Sequence, residues 1–511
     1  MKNQTVAAID VGSNSIKLSI VQAAASDSFT VILQERERVR LGETLLERMI
    51  TSDAMQRAVE TIARFKSIAE NRSSDKILAV ATASVREAEN SAEFIAEVEK
   101  KTGVKVEIIS AVEEARLIGI AATNYFHKRK GSLLNIDIGG GSTELSLMKD
   151  SMPELLLSMK IGSLSLRKKY LASDPPKKKE LKQLCDEIKF ALIRPVREIS
   201  GKTWEMVSGT SGTILNLAHL IDPSRKQLTL KKLINLNAKL VKMTDEQRAT
   251  LPSISLSRAE TIVSGGQILE HIMRELKIQT LYPCGYALRE GVIIDYLRRV
   301  EAEGLPPVPD VEDPRLKGIF AIGRRYGYEE KHALQVATIA EKIFDQLTSL
   351  HKLSRHERTM LSAAALLHNI GYYVSHEAHH KHSLYLIKHS EIIGFSEREK
   401  LIIANVARYH RGKLPNDKHP DFMALDEQSR EIVWKLGAIL RLANALDRSY
   451  ESKIKDVRIY HEKRRVTMEL ITTEENPLEI QAVNQRKDMF EKAFNCELVI
   501  STTLLQTATS K

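Results

Sequence analysis

Cysteine is scarce in this chain: Cys185, Cys284 and Cys496 are far apart in 511 residues and form no C-x-x-C pair. That excludes a disulfide-stapled mini-protein and fits inert buried thiols in a reducing cytoplasm. Long apolar runs are absent too. The longest, such as Ile77–Ala81 and Ala363–Leu367, fall far short of the ~20 residues a membrane span needs. Asp10 interrupts the first apolar stretch, so no signal-peptide core is expected. With 43% hydrophobic and 28% charged residues, the composition excludes a disordered chain or a collagen. The length implies three or four domains at ~150 residues each. What the chain has in excess is positive charge, a net +10, which favours an anionic partner: nucleic acid, an anionic membrane surface or a polyanionic substrate.

Strand and helix signals alternate along the first part of the chain. Val6–Ile9, Ile16–Val21, Phe29–Leu33, Ile77–Thr82 and Val104–Ile109 read as strands. Met55, Ala58, Val59, Ile62 and Phe65 predict a helix over about Asp53–Glu70 with Ser52 as its N-cap, and a second helix over Ser91–Lys101 stops at Gly103. At Leu133 the pattern restarts. Leu133–Ile138 ends in Asp-Ile-Gly-Gly-Gly-Ser-Thr-Glu before the strand Leu145–Met148, as Ala8-Ile9 ends in Asp-Val-Gly-Ser-Asn-Ser. Both read apolar strand, Asp, apolar, Gly, small polar turn, strand. A duplicated α/β unit accounts for this and would set the two turns across a cleft. The expected lobes are 1–126 and 127–304. Glu301–Pro314, with Pro306, Pro307, Pro309 and Pro314, reads as a linker. A helical domain is expected over 315–450, where eleven of the fifteen histidines lie between His332 and His419. A small β-β-α-β module follows over 455–511.

The turns carry the chemistry. Glycine lets backbone N–H groups approach an anion, and Ser and Thr hydroxyls add donors. An Asp at a strand end supplies hard oxygen for Mg²⁺. Asp10 with Gly12, Ser13, Asn14 and Ser15 provides this set once; Asp137 with Gly139, Gly140, Gly141, Ser142, Thr143 and Glu144 provides it again. A tight turn uses the same residues for backbone reasons alone, but two matched turns, each leaving a buried strand, favour a phosphate cleft. Ser208–Thr213, with Ser211 and Gly212, is a third such turn, and Ser264-Gly265-Gly266 is expected to open a helix over Gln267–Leu276. Glu113 and Glu114 open a helix after a strand. Acidic residues there suit the helix dipole, yet one of the pair can face the cleft as a base for water. Arg86, just past another strand end, is a candidate to neutralise a transferred phosphoryl group; the alternative is a surface pair with Glu87 or Glu89.

Taken together, DVGSNS (10–15), EIISAVEEARL (107–117), DIGGGSTE (137–144), GTSGT (209–213) and YALREG (286–291) resemble the Ppx/GppA family of exopolyphosphatases and guanosine pentaphosphate phosphohydrolases. The resemblance covers nearly the whole chain. It implies two ribonuclease-H-like lobes of the actin, hexokinase and heat-shock chaperone superfamily, an active site between them, and Mg²⁺. It also implies that Glu114 positions the attacking water, that Asp10, Asp137 and Glu144 hold the metal, and that Arg86 binds phosphate, with Asp137 counted in the catalytic set. A cytoplasmic homodimer is expected. An ATP-dependent kinase is the alternative class for the two lobes.

The helical domain resembles an HD phosphohydrolase module. His332 fits the first metal position, His368-Asn369 the His-Asp pair, and Asn444 the late Asp, so Asn stands where two carboxylates are expected. Asn is a much weaker ligand for a divalent ion, and the domain reads as structural or polyanion-binding, with the histidines His376, His380 and His382 and with Lys381, Arg408 and Arg411 able to line a phosphate path. His376-Glu377-Ala378-His379-His380 also matches the zinc-protease signature H-E-x-x-H, which requires those residues on a helix. The leading expectation is processive hydrolysis of terminal phosphate from inorganic polyphosphate, with basic runs such as His127–Lys130 and Lys177–Lys179 as candidate contacts. Guanosine pentaphosphate hydrolysis and a polyphosphate or alarmone sensor are the alternatives. No nucleic-acid partner and no transmembrane segment are expected.

Overall fold

The computed structural model describes residues 4–26, 28–44, 48–127, 130–224, 226–303, 314–472 and 477–504. Residues 304–313 of the proline-rich stretch, and Lys128 and Arg129 of the first basic run, lie outside the described residues. The chain divides into two compact units, Met1–Pro306 and Pro307–Lys511.

The first unit contains two sheets with one topology. In the first, β1 (Gln4–Val11), β2 (Ile16–Ala25), β3 (Ser28–Glu37), β4 (Lys76–Ala81) and β5 (Val106–Ile108) run in the order β3-β2-β1-β4-β5. The second contains β6 (Ser132–Ile138), β7 (Thr143–Lys149), β8 (Met152–Met159), β9 (Met206–Thr210), β10 (Leu228–Thr229) and β11 (Thr280–Pro283), in the order β8-β7-β6-β9-β11-β10. In each sheet the central strand pairs antiparallel with the next strand and parallel with the strand after the crossover. The repeat in the sequence is therefore a repeat in topology. β1 and β6 are apolar almost throughout because sheet neighbours flank both edges and packed elements cover both faces.

Helices fix the ends of these strands. Ser52–Asn71 buries Ala58, Ile62, Phe65 and Ala69 at helical spacing against the first sheet. Its N-cap is Thr51, which accepts from the Ala54 N–H, and not Ser52, which forms the first turn. Ser91–Thr102 ends at Gly103, whose φ of +69° gives the left-handed stop. Ala111–Tyr125 is buried from Val112 to Thr123 because it packs on β7 and β8 of the second sheet and on the helix Leu288–Glu303. Glycine permits both approaches. A Cβ on Gly119 would stand 2.6 Å from Met148 Sδ, and one on Gly291 would stand 2.1 Å from the Leu117 carbonyl oxygen. The helix Leu288–Glu303, which the sequence groups with the second lobe, packs Leu288, Val292, Ile293 and Leu297 against Val6, Ala8 and Val21 of the first sheet. Gly265 and Gly266 do not open a helix; they lie inside Leu256–Glu275.

In the second unit, helices including Glu330–Gln346, Arg355–Leu367, Glu397–Arg408 and Glu427–Ala445 pack around one apolar core. The strands β12 (Ile454–Glu462) and β13 (Arg465–Thr472) form a hairpin, and β14 (Glu497–Leu504) joins β13 in parallel after two short helices, Pro477–Asn484 and Asp488–Phe494. Ile339 and Leu436 of the helices share that core with Val457, Met468 and Phe490 of the tail, so 315–450 and 455–511 have a common interior.

Candidate active site

Asp10 is the penultimate residue of β1 and Asp137 that of β6, each just before its glycine turn. The turns close in the same way: Gly12 N–H donates to the Ser15 carbonyl at 3.3 Å, and Gly139 N–H to the Ser142 carbonyl at 2.9 Å. They also face each other. A Cβ on Gly140 would stand 3.3 Å from Ser13 Cβ and 3.9 Å from Asn14 Cβ. The start of the helix Ser163–Tyr170 takes up the carbonyls of the second turn, with Ser163 N–H on Gly139 and Leu164 N–H on Gly140, each at 2.9 Å.

The cleft between the turns is lined by both sets, Gly12–Ser15 and Gly139–Ser142, together with Asp10, Asp137 and Glu114. Its far wall is the junction of β9 and the helix Ser211–Ile221. Ser211 has a φ of +81°, a strained value for a residue with a Cβ, and its buried hydroxyl has no partner. A Cβ on Gly212 would stand 2.4 Å from Arg258 Nη2, so a side chain there would displace that guanidinium. Thr143 does not line the cleft; its hydroxyl donates to the Ile161 carbonyl at 2.5 Å.

The Glu113–Glu114 pair divides its work. Glu113 is clamped by Arg116 through two hydrogen bonds of 2.7 Å, and Arg116 also reaches Asp295 at 2.8 Å, so this acid is structural. Glu114 faces the cleft. Arg86 Nη1 donates to Glu114 Oε2 at 3.2 Å and to the Ile109 carbonyl at 2.9 Å. Arg86 therefore stands behind Glu114 and does not line the cleft. Glu87 and Glu89 pair instead with Lys160 and Arg48.

Burial dominates the electrostatics. It pushes Glu114 up to about 7 against the pull of Arg86, with Asp10 and Asp137 adding to the rise. Burial also raises Asp137, against its hydrogen bond from Thr210 Oγ1 and the charge of Lys17. Glu144, opposite Asp137 in the β6–β7 register, is raised well above the ordinary carboxylate value by burial and by Glu114 and Asp137. Ser158 donates to its Oε1 at 2.9 Å, its Oε2 is buried without a partner, and it does not line the cleft.

Three cations absent from the sequence-derived set complete the wall. Lys17 Nζ pairs with Asp10 Oδ2 at 3.1 Å, Arg36 Nε donates to Ser15 Oγ at 3.0 Å, and Arg258 Nη1 donates to Thr213 Oγ1 at 3.1 Å. Burial and the nearby Arg36 push Arg258 down to about 10. For Lys17 a signal existed, since it lies opposite Asp10 across a short hairpin. Arg36 and Arg258 belong to segments with no phosphate-turn pattern, and only the tertiary fold brings them here.

A site for Mg²⁺ can be tested on the donors. Among the described residues, no three His, Cys, Asp or Glu side chains converge as an all-protein cage. Mg²⁺ is usually held by one or two carboxylates plus substrate phosphates. Asp10 and Asp137 line the cleft beside the turns, so these two donors fit a cation shared with a bound phosphate; Glu144, expected as a third ligand, lies off the cleft.

Comparison with known proteins agrees with this geometry. Residues 19–300 match the Ppx/GppA phosphatase family and 315–487 match Ppx/GppA phosphatase, domain III. The chain belongs to the Ppx/GppA phosphatase family. It is 31% identical, over 80% of its own length and 81% of the relative's, to the guanosine-5'-triphosphate,3'-diphosphate pyrophosphatase of Pseudoalteromonas translucida. It is 35% identical to exopolyphosphatase 1 of Mycobacterium leprae, over 58% of this chain and 89% of that one. Among solved structures, an exopolyphosphatase from Cytophaga hutchinsonii matches with a TM-score of 0.55 and 25% identity, covering 58% of this chain and 98% of that chain. The Aquifex aeolicus family member matches with 0.51 and 26%, covering 58% and 98%. As family members are phosphatases, the protein is a hydrolase.

The histidines of the second unit also converge. His332 Nδ1 lies 2.7 Å from Asp447 Oδ2, His368 Nε2 lies 3.2 Å from Asn444 Oδ1, and Asn369 Nδ2 donates to Tyr450 at 3.1 Å. His379 and His410 meet through their Nε2 atoms at 3.3 Å. Burial, with His332 nearby, pushes His368 down to about 3, and burial holds His379 at about 4, so these two rings are neutral at neutral pH. The H-E-x-x-H segment is not a zincin helix. The helix starts only at His379, after Ala378 turns the chain with a φ of +52°.

Proposed function

We propose that the protein is an exopolyphosphatase that removes the terminal phosphate of inorganic polyphosphate in the cleft between the two turns. The observation that carries this reading is Glu114, a buried carboxyl poised at about 7 and facing two opposed phosphate turns. A general base works best when its pKa lies near the operating pH. Glu114 takes a proton from water as the water oxygen bonds to the terminal phosphorus. The bridging P–O bond breaks and the shortened chain leaves with its electron pair. Arg86 is a positioning residue that holds Glu114 in place. The backbone N–H groups of Gly12–Ser15 and Gly139–Ser142 and the Ser211 hydroxyl bind phosphate oxygens, and Lys17, Arg36 and Arg258 offset charge on the chain. Asp10 and Asp137 would hold Mg²⁺, which supplies charge neutralisation at the reacting phosphate, whereas Glu144, buried away from the cleft, is not placed to join them.

Among the described residues lining the cleft none is aromatic, so a guanine would find no ring there to stack on. This favours an inorganic chain. A second reading, conversion of guanosine pentaphosphate to tetraphosphate, draws on the likeness to the Pseudoalteromonas enzyme over most of both chains. Phosphate release from long polyphosphate and from guanosine pentaphosphate, side by side with Mg²⁺, decides between them. Faster turnover per enzyme on polyphosphate is expected; a preference for the nucleotide would overturn the choice of substrate and leave the cleft chemistry intact. We further propose that the helices of the second unit form a degenerate HD-like module and that the protein acts in the cytoplasm as a homodimer.

A further inference from the structure

Lys17 stands directly across the β1–β2 hairpin from Asp10. It also stands opposite Arg36 in the β2–β3 register, so Asp10, Lys17 and Arg36 form one row across the sheet: an acid, an ammonium and a guanidinium. Cross-strand neighbours in such a row share a face, and all three line the cleft. Arg36 is tied to the first turn through Ser15 Oγ. Lys17 Nζ is tied to Asp10 Oδ2 alone; among the described residues it has no other hydrogen-bond or ion-pair partner. The two members of this pair are unlike. The Asp10 side chain is 7% exposed, whereas that of Lys17 is 38% exposed and sits on a flexible four-carbon stem. The Lys17 charge also reaches the second turn: burial raises Asp137, and Lys17 is, after Thr210, the influence that opposes the rise. One ammonium thus serves both carboxylates that suit Mg²⁺. A divalent ion on Asp10 needs a carboxylate oxygen at about 2.0–2.1 Å. Sharing that carboxylate would press ammonium and metal together at contact distance, where like charges repel strongly. The anion able to take up the ammonium is a phosphate on the Gly12–Ser15 turn, which Lys17 and Arg36 flank.

We propose that Lys17 competes with the divalent ion for Asp10, and that a phosphate on the first turn ends the competition by drawing the ammonium away. Lys17 is a positioning residue: it makes metal and phosphate bind together, because each favours the displaced ammonium. The coupling is reciprocal, so the ion strengthens phosphate binding by the same factor as phosphate strengthens the ion's. The opposite hairpin has no such device, since its matching position is the acid Glu144. The proposal rests on the reading of the cleft as a phosphate and metal site, and not on which substrate is hydrolysed there.

The test uses the full chain with Mn²⁺, read by its electron paramagnetic resonance signal, and inorganic phosphate, so that no hydrolysis enters the readout. Without phosphate, Lys17→Met, which keeps an unbranched stem and removes the charge, should bind Mn²⁺ at least about tenfold more tightly than wild type. Phosphate should tighten Mn²⁺ binding to wild type by at least about tenfold more than it does for Lys17→Met. Lys17→Arg, which keeps a cation, should retain the coupling. Arg36→Gln removes a charge one strand further from Asp10 and should gain less than about threefold. Asp10→Asn added to Lys17→Met should reverse the gain, which places the ion at Asp10. If Lys17→Met does not fold, Lys17→Gln carries the same comparison. Equal Mn²⁺ affinity for wild type and the neutral variant, equal tightening by phosphate in both, or an equal gain in Arg36→Gln overturns the competition and leaves the reading of the cleft intact. A gain that survives Asp10→Asn also overturns it. Mn²⁺ binding to neither protein, with or without phosphate, overturns the metal reading of the cleft and the proposal with it.

Discussion

The hairpins on either side of the cleft share one backbone and differ in charge. Asp10 opposes Lys17 in the β1–β2 register as Asp137 opposes Glu144 in the β6–β7 register. In the first, the pair is an ion pair of 3.1 Å with Lys17 partly exposed. In the second, two buried acids face each other, and Glu144 has only Ser158 and Ser142 to offset its burial. The shared turn is what a phosphate-binding backbone requires. The unequal charge sets protonation: surplus acidity on the second side joins burial in raising proton affinity, and the first side holds a cation ready for phosphate.

Asp137→Ala should have the largest effect on this contrast. It removes the acid nearest the second turn, and phosphate release should fall by about a hundredfold or more, with a higher Mg²⁺ concentration needed for half-maximal rate. An unchanged Mg²⁺ titration would place the cation elsewhere.

Glu144→Gln should sharpen the contrast in the opposite direction, as a gain in stability. The folded protein holds the Glu144 proton more tightly than the unfolded chain does. Below the ordinary glutamate value Glu144 is protonated in both states and costs nothing. As pH rises above that value, the unfolded chain releases its proton first and stability is lost. The variant should therefore match wild type near pH 4 and be measurably more stable near pH 8 in denaturant melts. An unchanged difference between variant and wild type at the two pH values would mean that Glu144 is not held protonated.

How much of this was legible in the sequence depended on distance along the chain. The hairpins were legible because each lies within a dozen residues and repeats. The helix Leu256–Glu275 is hidden in the sequence because Gly265 and Gly266 look like a turn. They are there for close packing, since their Cβ atoms would stand 2.3 Å from Thr213 Cγ2 and from Asn237 Oδ1. Strand β8 is disguised by Pro153 at its second position, and Arg36 and Arg258 reach the cleft only through the tertiary fold. Glu114 was separable from Glu113 only by resemblance, whereas the structure separates them by partner, Arg116 for one and the cleft for the other.

Salt should affect substrates unequally. Release from long polyphosphate should fall more steeply with ionic strength than release from tripolyphosphate, since each added cation–phosphate contact is screened. Equal slopes would confine binding to the cleft. The smallest effect belongs to His368→Ala, which should leave hydrolysis of tripolyphosphate within about twofold of wild type, because its neighbours are Asn444 and Ala365 and not the turns. Complete loss in a folded variant would make the second unit catalytic.

The central claim is that Glu114 is the base, and the rate of terminal phosphate release from tripolyphosphate between pH 5 and 9 tests it most directly. Glu114 must be ionised to accept a proton, so the wild-type rate should rise with pH through about 7 and then level off. Glu114→Gln, which keeps the shape and loses the base, should be slower by ~10²–10⁴ and show no such rise. A variant that keeps more than about a tenth of the wild-type rate, with the same inflection, would contradict the account.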